Sequence, residues 1–154
     1  MTASTSPSLP AAHRLAAQLG YLALLPFVVG ALVVWVARVE VRGPAALALS
    51  AYAAVIVSFL GGIHWGFAFR QAAPEPRLFV WGVVPALVAC AALLLPASTG
   101  LAIHGAMLVV CYAVDRKVYA AEGASAWLGL RLRLTAVAGL GCFLGAVGAS
   151  SLTT

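Results

Sequence analysis

Residues 44–69 read PAALALSAYAAVIVSFLGGIHWGFAF and contain no Asp, Glu, Lys or Arg. A helix of about 20 apolar residues crosses the hydrocarbon core of a bilayer, so this run is long enough to span one. Pro44 suits the first turn of such a helix, and Arg70 with the polar stretch QAAPEPR closes it. Four further apolar runs lie outward from it, at residues 16–37, 78–95, 99–114 and 134–152. The segment PASTG, residues 96–100, makes a tight hairpin between the third and fourth runs and supplies the first turn of the fourth. The whole chain has 154 residues, 64% hydrophobic and only 8% charged, with a mean hydropathy of +1.06. A soluble domain is nearer half apolar and a quarter charged, so lipid must solvate this chain. That excludes an ordinary soluble enzyme, a disordered chain and a nucleic-acid-binding module.

Five crossings consume roughly 100 residues, which leaves short loops and no room for a soluble catalytic domain. The expected fold is all-α: a polytopic membrane protein of five transmembrane helices, forming one domain over residues 16–154. Residues 1–15 are expected to be a disordered tail, since their start, MTASTSPSLP, is rich in Ser, Thr and Pro. The first run exceeds the about 7–15 residues of a signal-peptide core, and a cut after Ala37 would put bulky Trp35 where a small residue is wanted. It is expected to remain as an uncleaved helix.

Lys and Arg set orientation, because they are enriched in cytoplasmic loops. One side collects Arg14, Arg70, Arg77, Arg116, Lys117, Arg131 and Arg133; the other holds Arg38 and Arg42. The N-terminus and the connection 115–133 are therefore expected in the cytoplasm and the C-terminus in the periplasm or its equivalent, with the chain multi-pass. The net charge of +5 belongs to these helix ends and not to a nucleic-acid surface. Cys90, Cys111 and Cys142 fall in separate apolar runs, and no C-x-x-C motif occurs; they suit buried free thiols.

The densest chemical signal is SFLGGIHWG, residues 58–66. Gly62 and Gly66 form a small-xxx-small pair of the kind that lets helices approach closely. Gly61, one turn before His64, leaves room beside the imidazole. An ionisable group at membrane depth is costly and marks a functional candidate. The plainer reading is a histidine hydrogen-bonded near the helix end, since His64 precedes Arg70 by six residues, about 9 Å at ~1.5 Å per residue. His104 begins the fourth run near the other face. A haem held by both histidines fails on depth, the two being separated by on the order of 15 Å. Haem on one histidine, or a quinone, stays open; a zinc site lacks further ligands at suitable spacing.

His64, Trp65, Arg70, Asp115 and Arg131 share one membrane level and form a candidate ligand site or polar cluster, with His104 as a separate candidate. Pairing of Asp115 with Arg70 or Arg131 would neutralise buried charge; the alternative is a basic pocket for an anionic lipid headgroup or a quinone ring. Residues 119–133, YAAEGASAWLGLRLR, suit a juxtamembrane anchor, with Tyr119 and Trp127 in the headgroup layer. In the fifth run Gly141, Gly145 and Ala149 make a second small-residue face, and Pro26 and Pro85 are candidate kinks. Serine-histidine-carboxylate and P-loop patterns are missing from the sequence.

The segments LGYLALLPF (19–27), YAAVIVSFLGGIHWG (52–66), WGVVPAL (81–87) and WLGLRLRLT (127–135) resemble the domain-of-unknown-function 3429 family, which includes proteins similar to mitochondrial transmembrane protein 69. SFLGGIHWG is the most specific of these blocks. The resemblance implies a small polytopic protein of bacterial or mitochondrial inner membranes, and implies no reaction, cofactor or catalytic residue. The leading functional expectation is a non-catalytic accessory, assembly or stabilising subunit of a larger membrane complex, with a membrane protein or a second copy as partner. Its rival is a protein that holds a quinone, lipid or haem near His64. A small transporter or channel ranks third, because the helices offer few polar groups for a path.

Overall fold

The computed structural model describes residues 9–151. Six α-helices follow one another: α1 (Leu9–Leu22), α2 (Leu25–Val36), α3 (Val39–Ala68), α4 (Pro76–Leu93), α5 (Ala97–Ala121) and α6 (Leu128–Ser150), with a 3₁₀ turn at Ser125–Trp127. Among the described residues there is no strand. Five segments are long and apolar enough to cross a membrane: His13–Val36, which joins α1 and α2, and the four that carry α3 to α6. The chain is an all-α, multi-pass membrane protein. Its outer surface carries Val28, Leu32, Val55, Val80, Leu87, Leu140 and Val147, all exposed, as a lipid-facing surface should.

The first span is broken at residues 23–24. Proline lacks an N–H and its ring clashes with the carbonyl four residues earlier, so Pro26 ends α1 at Leu22 and takes the first turn of α2. The break leaves the Ala23 carbonyl without a helical partner, and the Tyr52 hydroxyl donates to it at 2.8 Å. Pro85, in contrast, lies within an unbroken α4.

Several expected boundaries are corrected. Helix begins at Leu9, so residues 9–15 are not part of a disordered tail; the expectation for residues 1–8 lies outside the described residues. The second span starts at Val39, not Pro44, with Glu40 in its first turn, where a carboxylate complements the helix dipole. The fourth span does not stop at Val114 but runs to Ala121. Asp, Arg and Lys mark the edge of the apolar core, yet they fit a helix well enough to continue it beyond that edge. Just past the end of α5 lies Gly123, whose φ of +70° allows Ala124 N–H to reach back to Tyr119 O at 2.8 Å, a left-handed helix cap. α6 begins at Leu128, so the anchor expected over residues 119–133 is mostly helix, and the long connection shrinks to a short turn.

α3 is central and packs on α2, α4, α5 and α6. Its inward face carries Leu49, Ser50, Ala53, Val57, Leu60, Gly61, His64 and Ala68. Close approach depends on small residues, as expected where lipid is as apolar as the core. A Cβ on Gly61 would lie 2.5 Å from the Gly82 carbonyl of α4. On α6, Gly141 sits against Phe27, and Gly145 against Leu49. The face expected from Gly141, Gly145 and Ala149 is therefore turned inward. Gly62 and Gly66 face away from the bundle: a Cβ at either meets nothing within 4 Å among the described residues. On α3 the close-packing glycine is Gly61, on the same buried face as His64 one turn on.

Candidate functional site

At the end of the bundle that carries Arg70 and the α5–α6 turn, three helices each contribute an ionisable side chain to one buried group. α3 supplies His64, α5 Asp115 and α6 Arg131, with exposures of 1%, 1% and 7%. Arg131 Nε donates to Asp115 Oδ2 at 2.7 Å, and its Nη1 donates to Thr135 Oγ1, one turn on, at 2.7 Å. His64 Nε2 stands 3.4 Å from Asp115 Oδ1, while its Nδ1 faces the Leu60 carbonyl at 3.3 Å. Both ring nitrogens thus face oxygen acceptors, although neutral imidazole carries a single N–H. A carboxylate and a guanidinium balance each other here, which permits two charges at this depth.

The balance is incomplete in hydrogen bonds. Among the described residues, the buried side-chain atoms that make none are His64 Nε2, Asp115 Oδ1, Arg131 Nη2 and Trp81 Nε1. The first three belong to the triad. The fourth is beside it, the Trp81 and His64 rings meeting edge to face at 6.4 Å between centroids. Two of these, His64 Nε2 and Asp115 Oδ1, face each other at 3.4 Å as an ion-pair contact, the kind of pairing that buried polar groups need.

Two cavities flank the triad. One, of about 320 Å³, is lined by Arg131, Arg70, Phe67, Tyr119, Trp127 and Leu134. Its rim is reinforced from α1, where His13 stacks on Trp127 with centroids 4.1 Å apart. The other, of about 260 Å³, lies on the His64 and Trp81 side and includes Glu75, Arg77, Lys117 and Glu122 in its wall. At that mouth Glu75 pairs with Arg77, and Gln71 Nε2 donates to Glu122 Oε1 at 2.6 Å.

The candidate residues divide clearly. His64, Asp115 and Arg131 come together, and of the two arginines expected as partners for Asp115 it is Arg131 that pairs with it. Arg70 is exposed and lines the first cavity instead. Trp65 points outward, and its indole N–H donates to Phe79 O at 3.0 Å. His104 is fully buried elsewhere: Nε2 donates to Ala89 O at 3.2 Å and Nδ1 accepts from Ser50 Oγ at 3.3 Å. One neutral tautomer satisfies both contacts, so His104 ties α3, α4 and α5 together. Sequence reasoning missed Thr135 and Trp81. Thr135 had a signal, its i+4 spacing from Arg131; Trp81 had none, because its depth beside His64 follows from the Gly61–Gly82 approach.

A family model described as "Protein of unknown function (DUF3429)" matches residues 12–147, a range that contains every residue of the triad and of both cavities. No curated protein and no solved structure matches the chain.

Proposed function

This chain belongs to the DUF3429 family, and from that premise we propose that it is a non-catalytic protein of the bacterial inner membrane that binds an anionic, phosphate-type headgroup at its cytoplasmic face. One observation carries the reading. Arg131 is a buried guanidinium that lines a cavity, held in place through Nε by Asp115 and through Nη1 by Thr135. A guanidinium is the side chain best suited to hold phosphate oxygens, through its fork of N–H groups. Arg70 adds a second positive charge to the same wall. The excess of Lys and Arg on this side supports a cytoplasmic orientation, where anionic lipid would meet the cavity.

The test uses purified protein in neutral detergent, titrated with inorganic phosphate and with short-chain phosphatidylglycerol while tryptophan emission is recorded, Trp127 being in the cavity wall. Arg70→Gln leaves the triad intact and should weaken binding by about threefold, the size of one exposed charge contact. Absence of binding by the wild type to either compound would overturn the reading.

A second reading, as an accessory subunit of a larger membrane complex, is favoured by the open face of α3. Gly62 and Gly66 have free space beside them, and Phe59, Trp65 and Phe69 are exposed around them. Gly62→Leu and Gly66→Leu should not disturb this chain's own packing. Loss of a larger species on native gels would support a partner on this face, and unchanged migration of both variants would remove the reading.

A further inference from the structure

We infer that the headgroup site continues into an apolar slot that takes one hydrocarbon chain of the same ligand, so that the ligand class is an anionic amphiphile and not a free oxyanion. This inference rests on the headgroup reading above and narrows it.

A third cavity, of about 190 Å³, lies deeper between α1, α2, α3 and α6. It shares Arg131 and Leu134 with the headgroup cavity, so the two meet at one arginine and one leucine. The polar side chains of its wall are Arg131 and Thr135, which are bonded to each other. The remainder is apolar, with Gly20, Phe27, Phe59, Ile63 and Ala138 around it. Water gains little in a space of that kind, since it needs two to four polar partners to be held. A hydrocarbon chain needs none.

The slot follows from local sequence. The break before Pro26 places α1 and α2 on its wall, and Gly20 leaves space that Leu134 enters. A Cβ on Gly20 would lie 3.0 Å from Leu134 Cδ1. A phosphate held at Arg131 would therefore have an apolar cavity walled by the same side chain. The order of groups, cation then apolar wall, matches an amphiphile with its head toward the membrane surface.

The experiment compares glycerol phosphate, which has a head and no chain, with dioctanoyl phosphatidylglycerol, which has both. The full chain is used in neutral detergent, as the wild type, as Gly20→Leu, which fills the slot, and as Phe59→Ala. Phe59 is exposed, so its truncation leaves the fold unchanged while removing part of the wall. In the wild type the phospholipid should bind at least about tenfold tighter than glycerol phosphate, equivalent to roughly two methylenes' worth of burial. In Gly20→Leu that advantage should fall severalfold, by more than any change in glycerol phosphate binding that comes through the shared Leu134; Phe59→Ala should show a smaller fall of the same kind. Partition of the phospholipid into micelles is common to all three proteins, so the difference between them measures the slot. Equal phospholipid advantage in all three would overturn the inference and leave the headgroup reading standing. Failure of both compounds to bind the wild type would overturn both.

Discussion

Asp115 shows how much one residue decides. It is 1% exposed and holds Arg131 through a bond of 2.7 Å, with His64 on its other oxygen. Removing one member of a buried ion pair strands the other charge, at a cost of about 3–5 kcal/mol, whereas replacing both by apolar residues is often neutral. Asp115→Leu is therefore expected to lower the unfolding temperature in detergent sharply, and Asp115→Leu with Arg131→Leu to recover most of it. The double variant should nevertheless lose headgroup binding. A double variant as unstable as the single would show that the pair is needed for the fold itself. The three members of this group were legible in the sequence because ionisable side chains at membrane depth are rare and expensive. Thr135 carried only its four-residue spacing from Arg131, and Trp81 carried no signal, because a tryptophan is an ordinary residue in an apolar helix.

Helices show where a spacing rule succeeds and where it does not. Four-residue spacing of small residues located the packing face of α6 at Gly141 and Gly145, and both meet side chains of other helices. On α3 the sequence offered Gly61, Gly62 and Gly66 for helix packing, and of these Gly61 is the glycine that meets backbone. Spacing describes a stripe along a helix but not which way the stripe points; that depends on the whole set of buried positions, which here includes Ser50, Val57 and His64. Gly61→Ala should force α3 and α4 apart and cost about 1–3 kcal/mol, as overpacking does. Gly62→Ala should be neutral or slightly stabilising, since alanine is the better helix former by about 1 kcal/mol. Thermal unfolding of the two single variants checks this, and equal effects would contradict the assigned face.

At the scale of the whole molecule, five spans were legible because the bilayer sets a minimum length and the apolar runs meet it. Helix ends were less so. The charged triplet Asp115, Arg116 and Lys117 marks an edge of the apolar core, but backbone hydrogen bonding carries α5 on to Ala121. The cavities were beyond reach, because they arise between helices that are distant in sequence, such as α1 with α6. The uneven Lys and Arg distribution predicts an N-terminus in the cytoplasm and a C-terminus in the periplasm. Reporter domains fused at each end should be active accordingly, and reporters indicating both ends on one side would contradict an odd number of crossings.

The central claim is that Arg131 and its cavity hold an anionic amphiphile in the membrane. Native mass spectrometry of the wild type, extracted in mild detergent from bacterial inner membranes, tests it most directly. One anionic phospholipid retained per chain, and absent from the doubly substituted Asp115→Leu, Arg131→Leu protein, is the predicted result. A wild type that emerges without lipid, or with zwitterionic and anionic lipids retained alike, would contradict it.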